Sequence, residues 1–512
     1  MNDRNFSNIL LVAIAGLIAT ACSTAVPPGS PSPSHPSRAP SSTLLPTPTN
    51  TSSPSPAATP ISTPVPQLSR AGPWLLLLAD DTLFALDKDG VAVASVRHPE
   101  LSEWAPDFEA SPRGGFVALK NSHGGLYLVH LPEMSLAQIA ELLPPEREYT
   151  QEDIDRLHLW LGDTYAATLY MPNLAWSDNG TKLAFVSAMN GISPDLYLYS
   201  VADPAIVRLT SAPTFAIFPS WSPDSRYILH DAANQLWDGY SGRGHWIAGV
   251  WLAPVDGSRP KLLFESRFAS EKGFENRHGW LSETRYAASS ESAWCPATDL
   301  RIVSTEDGDQ SPIWQGSFFD ASLDPATATF LILIPDDSYP WTYEECAPHE
   351  APALYILSLS DRSTQSLGLF NPSGLNYPTV RWSEEAQLFF VDTDQGLLAV
   401  SRAGDLMPIH PDLGFPAVSP DGQLWALPHA SGEGLWLAGA HTSPYPIFNG
   451  EVGPVTWAPD GSALFFLGQS DWRLDTSTLY IARPPDFAPR LVLEDIPLEA
   501  RTGITPFAWV NP

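Results

Sequence analysis

Four segments of the sequence repeat one short pattern, in which a large apolar residue precedes a small residue, an acidic or amide residue and a turn-forming residue. The segments are Trp176-Ser-Asp-Asn-Gly180, Trp221-Ser-Pro-Asp-Ser225, Val418-Ser-Pro-Asp-Gly422 and Trp457-Ala-Pro-Asp-Gly461. An alternating apolar run follows each of them, for example Lys182-Leu-Ala-Phe-Val186. Self-similarity at such intervals is typical of a repeat architecture, and it constrains the fold before any other feature does.

Each repeat predicts four antiparallel strands. A strand ending at the aromatic residue, a Pro-Asp-Gly turn and a second strand make a hairpin. A third strand follows, as in Asp195-Leu-Tyr-Leu-Tyr199, and a fourth completes the unit, as in Ile206-Val-Arg-Leu209. A four-stranded antiparallel meander that recurs along a chain is a propeller blade. The sequence therefore predicts an all-β protein built as a single large β-propeller of four-stranded antiparallel blades.

The number of blades follows from the positions that mark a first strand. They lie near Ala110, Trp176, Trp221, Trp280, Leu323, Trp382, Val418, Trp457 and Trp509. The patterns at Trp280 and Leu323 are degenerate, and one of these units could be an insertion. Since propellers typically have four to eight blades, we expect eight here, within a range of seven to nine.

The two ends of this repeat region predict how the ring closes. The C-terminal strand 506–510 is a first strand with no unit behind it, whereas 74–78, 82–86 and 91–95 supply three strands with no first strand. We expect the C-terminal strand to join the N-terminal blade and complete it. Closure of this kind removes exposed sheet edges, which invite aggregation.

The repeat resembles a known family of propellers. The Trp-Ser-Pro-Asp-Gly unit and the Leu-Tyr strand are similar to the WD-like repeats of the TolB propeller and the prolyl oligopeptidase propeller, over roughly residues 73–512. The TolB resemblance implies a partner-binding role outside the cytoplasm, although TolB-type proteins carry a small α/β domain where this chain has a Pro-rich segment. A prolyl oligopeptidase activity would need a hydrolase domain with Gly-x-Ser-x-Gly, and the sequence lacks that motif.

The first 70 residues predict export and anchoring. Residues 1–22 have the features of a signal peptide, and Ala19-Thr-Ala-Cys22 resembles the lipobox of bacterial lipoproteins, which implies acylation of Cys22. The alternative is a secretory signal cleaved after Ala21. Residues 23–70 are rich in Pro, Ser and Thr and predict a disordered stalk before the propeller of residues 71–512. We therefore expect a membrane-anchored lipoprotein of the cell envelope, located outside the cytoplasm, that contacts the membrane through its N-terminal lipid only.

The charge excludes one class of partner. The formal net charge is −30, from 57 acidic and 27 basic residues. Nucleic acids are bound by basic surfaces, so we predict no nucleic-acid partner. The excess of acidic residues is explained by solubility. The alternative explanation is a preference for cationic partners or for a divalent metal.

The candidate ligand-binding residues lie in long connections. In such a meander the second-to-third loops and the links between blades share one face of the ring, and long loops on a rigid scaffold usually carry binding residues. The loops rich in aromatic and acidic residues predict a ligand-binding face, because aromatic planes stack on sugars or grip peptides. The candidates are Trp237, Tyr240, His245, Trp246, Trp294, Tyr339, Trp341, Tyr343, Glu344, Glu345, His349 and Trp472. The alternative is that these aromatic residues pack the loops against the rim of the ring. The tryptophans of the repeated motif are a separate case, because we expect them to pack between blades.

The two remaining cysteines occupy equivalent loops. Cys295 and Cys346 fall in second-to-third loops of neighbouring units, which predicts a disulfide in an exported protein. Two buried free thiols are the alternative. No cysteine spacing typical of a zinc site occurs, and we predict no metal and no cofactor.

Two functions remain open at this level. The first is a binding or scaffold propeller with no catalytic residues, hence not an enzyme, whose partner is a protein, peptide or glycan of the cell envelope. The second is a metal-dependent polysaccharide lyase of the oligogalacturonate type, a family that this repeat resembles and that places histidine ligands on a propeller. The candidate ligands for that alternative are His230, His245, His278 and His349.

Overall fold

The computed structural model describes most of the chain after residue 71. The described residues are 72–79, 81–101, 104–131, 133–145, 164, 166–211, 215–239, 242–265, 273–292, 297–316, 318–334, 353–369, 379–393, 396–410, 412–429, 433–439, 442–469, 476–497 and 507–510. By its internal contacts the chain divides into two units, Met1–Ser62 and Thr63–Pro512, and every described residue belongs to the second.

Strands make up most of the described residues. In the first third they are β1 (Trp74–Ala79), β2 (Thr82–Leu86), β3 (Ala92–Arg97), β4 (Trp104–Ala110), β5 (Phe116–Asn121), β6 (Gly125–His130), β7 (Ser135–Glu141), β8 (Leu174–Trp176), β9 (Lys182–Ser187), β10 (Asp195–Ser200) and β11 (Ala205–Arg208). In the middle third they are β12 (Phe215–Trp221), β13 (Tyr227–Gly239), β14 (Gly242–Pro254), β15 (Lys261–Glu265), β16 (Gly273–Ser282), β17 (Arg285–Ser292), β18 (Thr298–Ser304), β19 (Gln310–Pro312), β20 (Asp320–Asp324), β21 (Thr329–Ile334), β22 (Ala353–Ser358) and β23 (Thr364–Leu369).

The last third continues the same pattern. Its strands are β24 (Val380–Ser383), β25 (Leu388–Thr393), β26 (Gly396–Val400), β27 (Leu406–His410), β28 (Ala417–Val418), β29 (Leu424–Pro428), β30 (Glu433–Gly439), β31 (Thr442–Trp457), β32 (Leu464–Gln469), β33 (Thr476–Ala482), β34 (Arg490–Pro497) and β35 (Phe507–Val510). Two short helical segments interrupt the strands, a 3₁₀ turn at Pro99–Leu101 and a π-helical turn at Ala166–Tyr170. The sequence also predicts a helix within 143–165, especially over 148–161, and residues 146–163 lie outside the described residues. No helix among the described residues is long and apolar enough to span a membrane.

The strands form antiparallel four-stranded meanders, as the repeat predicts. Seven sheets have four strands each, and an eighth has seven strands, β28 to β34. Within the eighth sheet the long strand β31 is both the fourth strand of one meander and the first strand of the next, since it pairs with β30 and with β32. The fold class is therefore confirmed, whereas the expected number of eight blades is not.

The four-stranded units are numbered by chain order. Unit 1 contains β35 and β1–β3, unit 2 contains β4–β7, unit 3 contains β8–β11, unit 4 contains β12–β15, unit 5 contains β16–β19, unit 6 contains β20–β23, unit 7 contains β24–β27, unit 8 contains β28–β31, and unit 9 contains β31–β34. Both degenerate anchors lie in the first strands of complete sheets, Trp280 in unit 5 and Leu323 in unit 6. Neither unit is therefore an insertion into a neighbouring blade.

Unit 1 joins strands from the two ends of the described chain. β35 pairs antiparallel with β1, with Trp74 opposite Val510 and Leu77 opposite Phe507. β1 in turn pairs with β2, and β2 with β3. This composite sheet is the closure that the sequence predicts, and it leaves β1 paired on both sides.

The core lies between neighbouring units. For example, Leu331 and Leu333 of unit 6 pack with Phe389 and Val391 of unit 7. Second and third strands are buried on both faces, whereas fourth strands are exposed, as in β11. First strands of neighbouring units contact one another, which places them innermost. Strands buried on both faces explain the nearly continuous apolar runs in the sequence.

The motif tryptophans connect each unit to the preceding one. The indole Nε1 of Trp176 donates to the carbonyl of Glu109 at 2.9 Å, that of Trp221 to Ala175 at 2.8 Å, and that of Trp457 to Ala417 at 2.9 Å. The predicted role of these residues in packing between blades is confirmed. Trp382 differs, because its Nε1 donates to the side chain of Glu384 within its own turn.

Candidate functional site

The connections between strands differ strongly between the two ends of the units. First-to-second and third-to-fourth turns are short, and we call their side the short-turn face. Second-to-third connections and links between units leave from the opposite side, which we call the elaborated face. The longest connections all belong to the elaborated face, and they are 142–173, 335–352 and 370–379. The strand boundaries therefore show the expected difference between the two faces of the ring, with the longest connections on one face.

The short-turn face is built from the repeated motif itself. In unit 4, Ser222 Oγ donates to Asp224 Oδ1 at 2.6 Å and accepts the amide of Tyr227 at 3.0 Å. The amide of Ser225 closes the turn on the carbonyl of Ser222 at 2.8 Å. These bonds occupy the polar groups of the motif locally. The Ser-Pro-Asp-Gly signature is thus a device for making turns rather than a binding site.

Most of the predicted binding residues lie outside the described residues. This holds for Tyr240, Trp294, Tyr339, Trp341, Tyr343, Glu344, Glu345, His349 and Trp472. It holds equally for Cys22, Cys295 and Cys346, so the lipidation and the disulfide stay predictions. Trp237, His245 and Trp246 lie in described strands, which define their backbone positions.

These three residues lie on a projecting hairpin rather than on a long loop. β13 and β14 pair from Tyr227–Pro254 out to Gly239–Gly242, joined by the two residues 240–241. β12 pairs with β13 no further than Ala233, and β15 pairs with β14 no further than Gly249. The rest of the hairpin, residues 234–247, extends beyond its sheet, and we call it the arm. Pairing satisfies the backbone of a segment that would otherwise be an irregular loop.

The register of the arm groups its aromatic residues. Trp237 is opposite Gly244, and Trp246 is opposite Gln235. The two tryptophans are therefore two register positions apart on the ribbon, and His245, opposite Leu236, occupies the register position between them. The structure thus places these three predicted residues on one paired element.

A polar cluster lies at the base of the arm. Phe218 interrupts β12 at a bulge and has a positive φ of 52°. Its amide donates to Asn173 Oδ1 at 2.9 Å, and its carbonyl accepts Arg277 Nη2 at 2.7 Å. The same Nη2 lies 3.3 Å from Asp231, whose side chain is buried. The cluster joins units 4 and 5 to residue 173, which precedes the first strand of unit 3. It also stabilises the strained bulge beside the arm.

Pairing explains why these charges can be buried. A buried carboxylate without a partner costs several kcal/mol, and Arg277 supplies that partner for Asp231 across the boundary between units. The pair is therefore a contact that fixes units 4 and 5 relative to each other. Sequence reasoning did not identify it, because Asp231 and Arg277 are 46 positions apart in the sequence and neither lies in a motif.

A buried lysine was also missed. Lys120, at the end of β5, is fully buried, and its Nζ donates to the carbonyls of Met171 at 2.7 Å and Thr168 at 3.3 Å. These carbonyls belong to the π-helical turn Ala166–Tyr170 and the residue that follows it. The ammonium group therefore connects the link between units 2 and 3 to the sheet of unit 2 by hydrogen bonds. A lone lysine after the apolar run Phe116-Val-Ala-Leu119 was the available signal.

The two described histidines of the lyase alternative have structural contacts. His278 bonds the carbonyl of Ala321 through Nδ1 at 3.0 Å and Ser289 Oγ through Nε2 at 2.9 Å, which connects units 5 and 6. His230 is 4% exposed, and its Nδ1 faces the carbonyl of Asp231 at 3.2 Å. Burial lowers the pKa of each to about 4. Among the described residues no group of three or more His, Cys, Asp or Glu could hold a metal ion, while His245 has no described side chain and His349 lies outside the described residues.

Comparisons with known proteins identify the fold. Solved structures similar to this chain are β-propellers. A crystal structure of a eukaryotic initiation factor matches with a TM-score of 0.50 and 14% identity, over 83% of this chain and 96% of that chain. At this identity the likeness shows the fold alone. No family model matches the sequence, and no curated protein matches it either.

Two further structural matches concern enzymes. The dihydro-heme d1 dehydrogenase NirN matches with a TM-score of 0.44 and 12% identity, over 83% of this chain and 73% of that chain. Dipeptidyl peptidase 4 of Porphyromonas gingivalis matches with a TM-score of 0.46 and 10% identity, over 76% of this chain and 59% of that chain. The prediction that the protein is not an enzyme is therefore wrong as an inference from its fold. A propeller supports either a binding scaffold or an enzyme, and no specific activity is established.

Proposed function

We propose that this protein is a lipid-anchored propeller of the cell envelope that binds a glycan, peptide or protein through its elaborated face, outside the cytoplasm. The arm is the observation that supports the proposal most. It extends beyond its own sheet, it leaves from the face with the long connections, and it carries Trp237 and Trp246 two register positions apart. Pairing defines the backbone positions of these residues, and aromatic residues suit stacking on a sugar or an apolar side chain.

The remaining support comes from the structure around the arm. The Arg277–Asp231 pair, the Asn173–Phe218 bond and the Lys120 contacts fix the inner part of this face. A binding site on a rigid support loses less freedom when its ligand arrives. The acidic composition of the chain favours ligands that are neutral or cationic.

The experiment uses the compact unit from Thr63 to Pro512, exported so that disulfides can form. Glycan and peptide arrays identify a ligand, and calorimetry measures its affinity for three variants. We expect Trp237→Ala and Trp246→Ala each to weaken binding at least about tenfold, as is typical of aromatic anchors. The matched control Leu262→Ala, in an exposed position of the outer strand β15, keeps the affinity within twofold. The proposal is wrong if the arm variants bind normally while substitutions on the short-turn face abolish binding. Product analysis of the same mixtures reports any turnover.

A further inference from the structure

Three Asn-Gly pairs occur in the sequence, and the structure holds them differently. They are Asn179-Gly180, Asn190-Gly191 and Asn449-Gly450. In such a pair the backbone nitrogen of the glycine can attack the side-chain amide of the asparagine, because glycine has no side chain to obstruct the approach. The attack requires a free glycine amide and an asparagine side chain that can rotate toward it. Hydrogen bonds to either group therefore slow the reaction.

Hydrogen bonds within turns protect the first two pairs. Asn179 Oδ1 accepts from three donors, among them Ser177 Oγ at 2.8 Å. The amide of Gly180 donates to the carbonyl of Ser177 at 2.7 Å, and the amide of Gly191 donates to the carbonyl of Ala188 at 2.9 Å. Both glycine amides must leave their acceptors before they can react.

The third pair lies where β31 passes from unit 8 to unit 9. Phe448 and Glu451 pair with residues of β30 that are only two positions apart, which leaves one extra residue of β31 in a bulge. Pairing of β31 with β32 begins at Glu451. Asn449 and Gly450 thus have no register partner in either neighbouring strand. The Asn449 side chain is exposed and makes no hydrogen bond with the described residues.

We propose that Asn449 is a site of spontaneous deamidation, and that the product weakens the strand that units 8 and 9 share. The nitrogen of Gly450 forms a bond to Asn449 Cγ, and the bond from Cγ to the side-chain nitrogen breaks. The side-chain nitrogen leaves as ammonia and takes the proton of the Gly450 amide. Water then opens the resulting succinimide ring at one of its two carbonyl carbons, which gives aspartate or isoaspartate.

The products change β31 beside a packed aromatic residue. Isoaspartate adds a methylene group to the main chain next to Phe448, whose ring packs against Phe466 and Tyr480 with centroids 5.2 and 5.0 Å apart. Each product also places a carboxylate two positions from the exposed Glu451, and like charges repel. A longer main chain therefore disturbs both the pairing and the packing of units 8 and 9, because close-packed interiors do not absorb such shifts.

Peptide mass spectrometry of the complete chain, incubated at pH 6 and at pH 8, measures deamidation at the three pairs. We expect Asn449 to react at least about tenfold faster than Asn179 and Asn190, because the glycine amides of the two turns must first lose a hydrogen bond. The reaction is faster at pH 8, since the attacking nitrogen loses its proton. In denaturant the three rates converge. A folded chain in which Asn179 or Asn190 reacts as fast as Asn449, or rates that stay apart in denaturant, would overturn the assignment.

Two variants test the effect on the shared strand. Asn449→Gln removes the reaction, because glutamine closes a larger ring more slowly, and Asn179→Gln is the matched control. Gly450 is left in place, since a Cβ there would lie 2.8 Å from the carbonyl oxygen of Gln469. After incubation at pH 8 we expect the urea midpoint to fall for the parent chain and for Asn179→Gln, and to stay unchanged for Asn449→Gln. An equal fall in all three chains, or a fall in none, would overturn the proposed weakening of β31.

Discussion

Single residues in the short turns show how closely the units approach each other. Gly422 and Gly257 both have positive φ, 74° and 78°. A Cβ on Gly422 would lie 2.3 Å from the carbonyl oxygen of Glu385 in unit 7, whereas a Cβ on Gly257 meets nothing within 4 Å. The glycine of the repeat therefore serves two purposes, the left-handed turn and the contact between units.

These two glycines give a matched pair of variants. We expect Gly257→Ala to cost about 1–2 kcal/mol of unfolding free energy, the usual penalty for a left-handed alanine. We expect Gly422→Ala to cost at least about 1 kcal/mol more, because the neighbouring backbone must also move. Urea denaturation measures both. Equal costs would show that units 7 and 8 do not approach as closely as described.

Buried ionisable residues predict opposite effects of pH. Burial lowers the pKa of His230 from its usual 6.5 to about 4, so between these values the unfolded chain binds more protons and stability rises with pH. Burial raises the pKa of Asp195 from 3.8 to about 6, although its ion pair with Arg208 opposes this. In that window the folded chain binds more protons, and stability falls as pH rises.

Two variants separate these contributions. We expect His230→Gln to reduce the gain in unfolding free energy between pH 5 and pH 7 by about 2 kcal/mol, since the folded state no longer excludes a proton. Asp195→Asn should make the gain between pH 4 and pH 6 steeper. Denaturation curves at each pH measure the slopes. If both variants shift the slope in the same direction, the assignment of burial as the dominant cause is incorrect.

At the scale of elements, the sequence predicted strands better than connections. The alternating runs and Pro-Asp-Gly turns located the first strands of the units, because local turn chemistry and burial on both faces act there together. The segment that holds Trp237, His245 and Trp246 was predicted as a long connection, and it is the arm. Its residues Asp238 and Gly239 are typical of turns and directly precede the connection 240–241, so the turn signal was present, whereas the pairing on either side of it was not predicted.

The closing strand gives a prediction at this scale. A chain that ends before Phe507 would leave β1 with an unpaired edge and would remove the contact between Trp509 and Phe465, whose rings are 5.4 Å apart. We expect a lower denaturation midpoint and self-association, because open edges pair with other chains. Light scattering and denaturation measure these effects. The control lacks only Asn511 and Pro512 and should associate no more than the complete chain does. Equal behaviour of the two truncated chains would contradict closure by β35.

For the whole molecule, the fold could be predicted from sequence, whereas the site could be predicted only in part. The architecture of a repeat protein can be predicted from sequence because each unit has the same local pattern of turns and strands. The Arg277–Asp231 pair and the Lys120 contacts join residues far apart in sequence, so no local pattern indicates them. The absence of catalytic motifs led to the wrong prediction that the protein is not an enzyme, since a propeller fold is compatible with either function.

The central claim is that the ligand binds at the elaborated face, and hydrogen exchange tests this claim most directly. Backbone exchange is measured on the unit Thr63–Pro512 with and without the ligand selected on the arrays. We expect protection in the arm, residues 234–247, and in the connection 335–352, with the short turns such as 255–260 unchanged. Protection confined to the short turns or to the outer strands would contradict this claim.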